Sequence, residues 1–396
     1  MRRFGPSRCE PAGVVVALGI PLWMFSLTTP LGAQLQPGSV GAALADAPGE
    51  AVYAAACANC HGVDGTGLAP TLVVFEEELP DFSDCDFAAR EPDADWIAVA
   101  HEGGPVRGFS EMMPAFRGAL TEEQLGRVMQ YIRTLCTDPA WPRGELNLPR
   151  ALLTEKAYPE DEWVLEVGVD LEGKGDLSGA YVYEQRFGSR SQIEVVVPYT
   201  WRRGGTGHDG DETHSADGVE HGIGDVVLAV KHALFHDLAK GTIVSLMGEV
   251  ILPTGDYGAG LGAPGSELEA FMALGQILPG DAFLQAQAGA AVPLYDGGAS
   301  EGFGRVLLGR TWTQGRWGRA WSPMLEVQAK RGLESGSEMR IDLVPQIQVS
   351  LNRRQHVLAN VGVLVPAGRE AARRPPLRLV AYILLDWFDG GFLEGW

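Results

Sequence analysis

No apolar run in this sequence is long enough to cross a bilayer as a helix. The best candidate, "GVVVALGIPLWMFSL" (Gly13–Leu27), falls short of the roughly 18–20 residues that a spanning helix needs. Basic residues are also scarce: 31 Lys and Arg stand against 51 Asp and Glu, a formal net charge of −20. The deficit holds in both halves, with 7 basic against 18 acidic residues over 34–150 and 21 against 32 over 151–396. A chain this acidic is not built for nucleic acid, whose phosphates require a basic face. It favours cationic partners instead. Cysteine is sparse, 5 residues in 396, and only one Cys-x-x-Cys pair occurs. That removes a structural zinc site assembled from two paired clusters.

What is present begins with an export pattern. Arg2, Arg3 and Arg8 precede the apolar core, and Ala33 offers a small residue for cleavage before Gln34. Residues 1–33 are therefore expected to be a signal peptide; the alternative is a retained helical anchor. Cys9 would leave with the signal, so Cys57, Cys60, Cys85 and Cys136 would face an oxidising compartment.

Beyond the signal, the period of the sequence changes once. Residues 45–140 carry helical signals. In "TEEQLGRVMQYIRTLC" Thr121 stands at an N-cap position, with Gln124 placed to complete a capping box. Leu125, Val128, Ile132 and Leu135 then share one face. "DADWIAVAHEGG" reads as another helix, with Trp96, Ile97, Val99 and Ala100 inward and Gly103-Gly104 as its stop. The proline-rich "DPAWPRGELNLPR" (Asp138 to Arg150) reads as irregular linker.

From Trp163 onward the period is two. Trp163, Leu165, Val167, Val169 and Leu171 alternate with Glu166, Gly168 and Asp170, and the same pattern fills "WSPMLEVQAK", "RIDLVPQIQVSL" and "LRLVAYILLDW". About 12 such runs follow one another, from residues 163–171 to residues 376–388. Short links such as "GSRS", "LPGD" and "LNRRQ" alternate with longer glycine-rich ones. Short–long links with an even strand count describe a transmembrane β-barrel, and strands of this length suit a tilted bilayer crossing. Trp163, Tyr199, Trp201, Trp312, Trp321, Trp387 and Phe388 lie at strand ends, where interfacial girdles sit. Lys231, Glu249, Glu326, Lys330, Arg340, Asp342, Arg378 and Asp386 would face the interior, as a polar channel or as ion pairs in a closed lumen. The alternative architecture is a soluble β-sandwich, whose strands also alternate. A closed barrel has the advantage of leaving no exposed strand edges.

The chemistry concentrates in "CANCHGVDGTG" (Cys57 to Gly67). A thioredoxin-like dithiol needs a strand-to-helix junction in a βαβ pattern, and none is visible. Covalent haem attachment needs two thiols for the porphyrin vinyls and an adjacent histidine for iron, and Cys57, Cys60 and His61 supply them at the required spacing. One covalent haem c is the expected cofactor. Met112 or Met113 in "EMMPAFRGALTEEQL" could fill the sixth iron position; His101 or an open site are the other possibilities. Cys85 and Cys136 are expected to pair as a disulfide, the alternative being two separate buried thiols. Weaker signals are set aside. "HDGDETH" (His208 to His214), with Asp217 and His221, reads as a solvated loop rather than a metal site. "GLGAPG" (Gly260 to Gly265) opens no helix and is no nucleotide motif.

On these residues, the stretch 45–138 resembles a class I monohaem cytochrome c. That resemblance implies a fold with the CxxCH on its first helix, and it implies Met113, directly before Pro114, as the second axial ligand. It also implies single-electron transfer. "GIGDVVLAVKHALF" with "GEVILPTGD" (residues 222–256) resembles bacterial outer-membrane barrels named for meta-pathway phenol degradation or as transporters, which implies a barrel.

The expected organisation is a multi-domain chain, a small all-α domain followed by an all-β antiparallel barrel. Its parts are a signal peptide (1–33), a cytochrome c domain (34–138), a linker (139–160) and an outer-membrane barrel (161–396). The expected function is electron transfer by a periplasmic domain anchored to the outer membrane, serving cationic periplasmic redox partners and contacting outer-membrane lipid. The alternative is a solute channel whose cytochrome senses redox state or gates passage.

Overall fold

The structure is a computed structural model that describes residues 44–73, 79–172, 175–203, 219–368 and 377–387. The expected signal (1–33) with Cys9, the loop from His208 to Asp217, and Phe388 lie outside the described residues.

The first part is helical: α1 (Gly49–Ala56), α2 (Ala58–His61), α3 (Cys85–Ala88), α4 (Asp93–Glu102) and α5 (Glu122–Arg133). The capping box forms. The Gln124 amide donates to Thr121 Oγ1 at 3.2 Å and the Thr121 amide to Gln124 Oε1 at 2.7 Å, satisfying donors that a helix start leaves open. Leu125, Val128 and Ile132 are buried together with Val52, Tyr53, Ala58, Phe82 and Leu120, and Trp96, Ala100 and Leu135 pack around them. Each fully buried side chain of this size contributes roughly 1.5–3 kcal/mol. α1 and α5 meet backbone to backbone at Gly49, where a Cβ would lie 2.0 Å from the Arg127 carbonyl oxygen. Cys85 and Cys136 form the expected disulfide, with Cα atoms 5.0 Å apart, tying α3 to the chain just beyond α5.

The second part is one closed sheet. Its strands are β1 (Glu162–Asp170), β2 (Leu177–Phe187), β3 (Ser191–Arg203), β4 (Val219–Ile223), β5 (Val226–Asp237), β6 (Thr242–Leu252), β7 (Glu267–Leu278), β8 (Ala282–Pro293), β9 (Glu301–Arg310), β10 (Trp312–Thr313), β11 (Ala320–Gly332), β12 (Met339–Ser350), β13 (Val357–Ala367) and β14 (Arg378–Asp386). Every wall strand pairs antiparallel with its neighbour, and β1 pairs with β14 from Glu162↔Asp386 to Asp170↔Arg378, which closes the wall. Twelve strands form that wall; β4 continues the β5 strand along β3 beyond a break at Gly224-Asp225, and β10 adds a short pairing to β11. Closure excludes the sandwich, which would be two sheets. Alternation sorts the faces as the pattern demanded: on β1, Trp163 and Leu165 point outward at 45% and 49% exposed, while Glu162 and Val164 are buried inside. The outer face is apolar around the wall, through Leu228, Val230, Met272, Val306, Leu325 and Ile383 among others. No helix among the described residues is long and apolar enough to cross a membrane.

The segment expected as a linker takes an unexpected course. From Gly144 the chain folds into the lumen as an irregular plug and returns to the same mouth, where Tyr158 Oη donates to the Pro142 carbonyl at 3.1 Å and Asp161 leads into β1. Leu146, Leu148, Ala151, Leu152, Thr154, Lys156, Ala157, Tyr158 and Glu160 are all buried there. Its apolar residues pack on the wall: Leu152 on Val164, Val344 and Tyr382, Leu146 and Tyr158 on Ala233 and Ile243, and Leu148 on Phe283 and Leu307. Its backbone is satisfied by wall side chains. The Leu152 and Glu160 amides donate to Gln346 and Gln192 at 3.0 and 2.7 Å, and Tyr382 Oη and Gln285 Nε2 donate to the Arg150 and Pro149 carbonyls at 2.8 and 2.7 Å. Arg150 is paired with Glu184, and Lys156 lies between Glu160 and Glu162. Buried charges are tolerable only when partnered in this way. The inward-facing charges seen in the sequence thus serve partly as sockets: Glu326 accepts from Thr154 Oγ1 and from Gln346 Nε2.

Candidate haem site and its seat on the barrel

Cys57 sits at the joint between α1 and α2, and Cys60 and His61 follow on α2. Separations of three and four residues bring these side chains to one face. The Cys60 and His61 amides donate to the Cys57 carbonyl at 3.1 and 3.0 Å. The following loop is laced back onto the motif: the Gly67 and Leu68 amides donate to the His61 and Cys60 carbonyls, both at 2.9 Å, and Tyr53 Oη donates to the Gly62 carbonyl at 2.8 Å. Tyr53 itself is buried in the core, so the motif is fixed from below.

Cys57 and Cys60 are unbonded, in contrast to Cys85 and Cys136. Burial pushes the Cys57 thiol up to about 11, with the neighbouring Cys60 adding to the effect. Burial also lowers the His61 pKa, which keeps the imidazole neutral. His61 Nδ1 is buried without a hydrogen-bond partner, and the ring packs 5.1 Å from Phe82, which in turn lies 5.2 Å from Trp96. Two free thiols, a neutral imidazole with an unclaimed nitrogen and aromatic surroundings fit a covalently held haem. Val63 and Leu72, apolar residues on the stretch that follows the motif, are 80% and 73% exposed.

Met112 and Met113 lie on the loop between α4 and α5. This loop is fastened to α4: the Gly104 amide donates to the Met113 carbonyl at 3.0 Å, and the Phe116 and Arg117 amides to the Ala100 and His101 carbonyls at 3.0 and 3.1 Å. Met112 is half exposed, whereas Met113 is more covered. His101 is engaged elsewhere, with Nδ1 2.9 Å from Glu102 Oε1 and its ring 5.9 Å from Trp317. Of the weaker candidates, His221 and the Gly260–Gly265 loop fall within the described residues. His221 stacks on Trp201, and the loop containing Gly260 and Gly265 is held by Asp225, which accepts from the Gly255 and Ala263 amides at 2.9 and 2.6 Å.

The helical domain is seated on the end of the barrel that carries the short turns. Arg90 pairs with Asp161, and His356 Nε2 lies 2.7 Å from Glu91 Oε1. Arg316 Nη1 lies 2.6 Å from Glu122 Oε1, and Arg107 Nη1 donates to the Trp317 carbonyl at 2.6 Å. Arg190 and His236 both bond the Ala140 carbonyl, at 3.0 and 3.2 Å. None of these seam residues was singled out from the sequence. They lie in turns and helix ends without periodicity, and the only available signal was arginine, tryptophan and histidine clustering in short links.

A family model described as "Cytochrome C oxidase, cbb3-type, subunit III" matches residues 44–132. No curated protein gives a significant match. Among solved structures, an outer-membrane channel from Pseudomonas putida F1 is 12% identical, covering 60% of this chain and 99% of its own, with a TM-score of 0.40. The NanC porin is 7% identical over 57% of this chain and 98% of its own, with a TM-score of 0.39. The β domain of the Bordetella autotransporter BrkA is 13% identical over 57% and 99%, with a TM-score of 0.34. The chain thus joins a cytochrome c domain, matched over residues 44–132, to a closed β-barrel of twelve wall strands.

Proposed function

We propose that this chain is an outer-membrane protein whose cytochrome c domain passes single electrons on the periplasmic side, with the plugged barrel as its anchor. The observation that carries the reading is the donor set: Cys57 and Cys60 free, His61 Nδ1 buried without a hydrogen-bond partner, while the remaining described cysteines are joined. Cys57 and Cys60 would hold one haem by thioether bonds, and His61 and Met113 would bind its iron. When bound, the haem would supply reversible one-electron chemistry, and methionine together with histidine as ligands would raise its potential. The chain's own part is to hold these groups in a small disulfide-tied domain and to present an acidic surface to cationic redox partners. The apolar outer face supports a bilayer setting, since exposed apolar area on this scale has no role in water. Outer-membrane barrels commonly keep their short turns on the periplasmic side, and the seat of the helical domain on the short-turn end supports that side for it.

The test is haem staining of outer-membrane fractions from the full chain and from Cys57→Ala/Cys60→Ala. Stain should vanish in the variant while the barrel still inserts; covalent stain that persists rules the assignment out. The second reading, a channel whose passage responds to the haem, is favoured by the plug, which leads from the helical domain straight into the lumen. Solute flux in liposomes that is identical with oxidised and reduced haem would count against it.

A further inference from the structure

We propose that the barrel rim positions the loop carrying Met113, through Trp317 and Arg354, and so determines how firmly the thioether is held toward the iron. The proposal rests on the haem reading above. Residues 103–117 connect α4 to the approach of α5 and have little regular structure. Within the helical domain this segment is held by backbone bonds from Gly104 to Met113, Phe109 to Gly104, Phe116 to Ala100 and Arg117 to His101, each between 3.0 and 3.1 Å. Gly104 is at the tightest point, where a Cβ would lie 2.2 Å from the Ser110 carbonyl oxygen.

Two turns of the barrel reach the same segment. The turn between β10 and β11 brings the Trp317 ring to His101, and its carbonyl accepts from the buried Arg107 at 2.6 Å; Arg107 Nε also donates to Asp95 on α4 at 2.8 Å. Arg316 lies 4.5 Å over the Trp317 ring while pairing with Glu122 at the start of α5. The turn between β12 and β13 places the Arg354 guanidinium 4.5 Å over the Phe109 ring. Trp317 therefore touches the residue whose carbonyl holds Arg117, and Arg354 touches the residue bonded to Gly104, which itself holds Met113. The barrel thus touches the segment directly at Arg107 and Phe109, its anchor at His101, and the start of α5 beyond it at Glu122. A ligand on a loop that is already ordered binds with a smaller entropy loss than one on a loose loop. Loosening the grip should weaken the thioether bond and lower the potential that it raises.

The experiment uses the full chain in detergent, comparing wild type with Trp317→Ala, Arg354→Ala and Trp317→Phe, and with Met113→Ala as reference. Hydrogen exchange, reduction potential and the methionine–iron charge-transfer band are read. Trp317→Ala and Arg354→Ala should each speed exchange within residues 103–117, shift the potential downward and weaken the band. Covalent haem and heat-modifiable migration of the barrel should be unchanged, and Trp317→Phe should restore most of the wild-type behaviour. Exchange, potential and band all equal to wild type in both alanine variants would overturn the proposal. A band that survives Met113→Ala would instead overturn the ligand reading, and the clamp with it. Should Trp317→Ala fail to fold, Arg354→Ala decides alone.

Discussion

Arg150 of the plug and Glu184 of β2 form an ion pair from which both side chains are shut off from solvent, at 4% and 0% exposure. Glu162 and Glu155 stand nearby, at 3.5 and 3.7 Å from the same guanidinium. Removing the cation strands buried carboxylates, so Arg150→Met should destabilise the plugged barrel by roughly 3–5 kcal/mol. Adding Glu184→Gln should recover part of that loss. Heat-modifiable migration on gels reads the stability, and single-channel conductance should rise as the plug loosens. Unchanged migration and conductance in Arg150→Met would mean that the plug is not held by this pair.

Leu165 lies mid-strand on the outward face of β1, at 49% exposure. If that face meets lipid, Leu165→Arg should cost roughly 2–4 kcal/mol near the bilayer midplane. Folding yield into lipid vesicles measures it. An unaffected yield would show that this face does not meet hydrocarbon.

The Cys85–Cys136 disulfide closes a loop with a sequence separation of 51. Cys85→Ser/Cys136→Ser should lower the stability of the helical domain by roughly 2–4 kcal/mol while leaving haem attachment at Cys57 and Cys60 intact. Chemical unfolding followed by haem absorbance tests this. Reductant should destabilise the wild type and have no effect on the double variant.

Gly49→Ala puts a methyl group where the Arg127 carbonyl already stands. The two helices must separate, at a cost of roughly 1–3 kcal/mol for overpacking. The near-ultraviolet circular dichroism of the paired Tyr53 and Tyr131 rings, 5.2 Å apart, should change with it. A wild-type spectrum and melting point would show that α1 and α5 do not pack as closely as described.

What was legible in the sequence was what repeats or what is chemically rare. Thr121 and Gln124 announced the start of α5, alternation from Trp163 announced the wall, and the CxxCH spacing of Cys57, Cys60 and His61 pointed to the cytochrome c domain that the family model matches over residues 44–132. The plug was not legible. "GELNLPRALLTEKAYPED" has no period, and its prolines and charges read as solvated chain, because a lumen lined with polar groups offers water's partners without water. One indirect signal existed. Glu162, Glu184, Glu194, Lys231 and Glu326 all fall on inward faces, more charge than a twelve-stranded interior could leave dry without something to meet it. The seam was equally hidden, since Trp317 and Arg354 act through contacts set by distant parts of the chain.

The plug becomes β1 without a break, and β1 is one of the two strands that close the wall against β14. Both ends of the plug lie at one mouth: the Gly144 amide donates to the Ala89 carbonyl at 2.7 Å, Tyr158 Oη donates to the Pro142 carbonyl at 3.1 Å, and Asp161 pairs with Arg90. The plug is thus an indented loop whose neck is stitched to the helical domain on both sides. A pull on that domain would bear on the neck and on the first wall strand together, so the two parts of the chain share one mechanical joint.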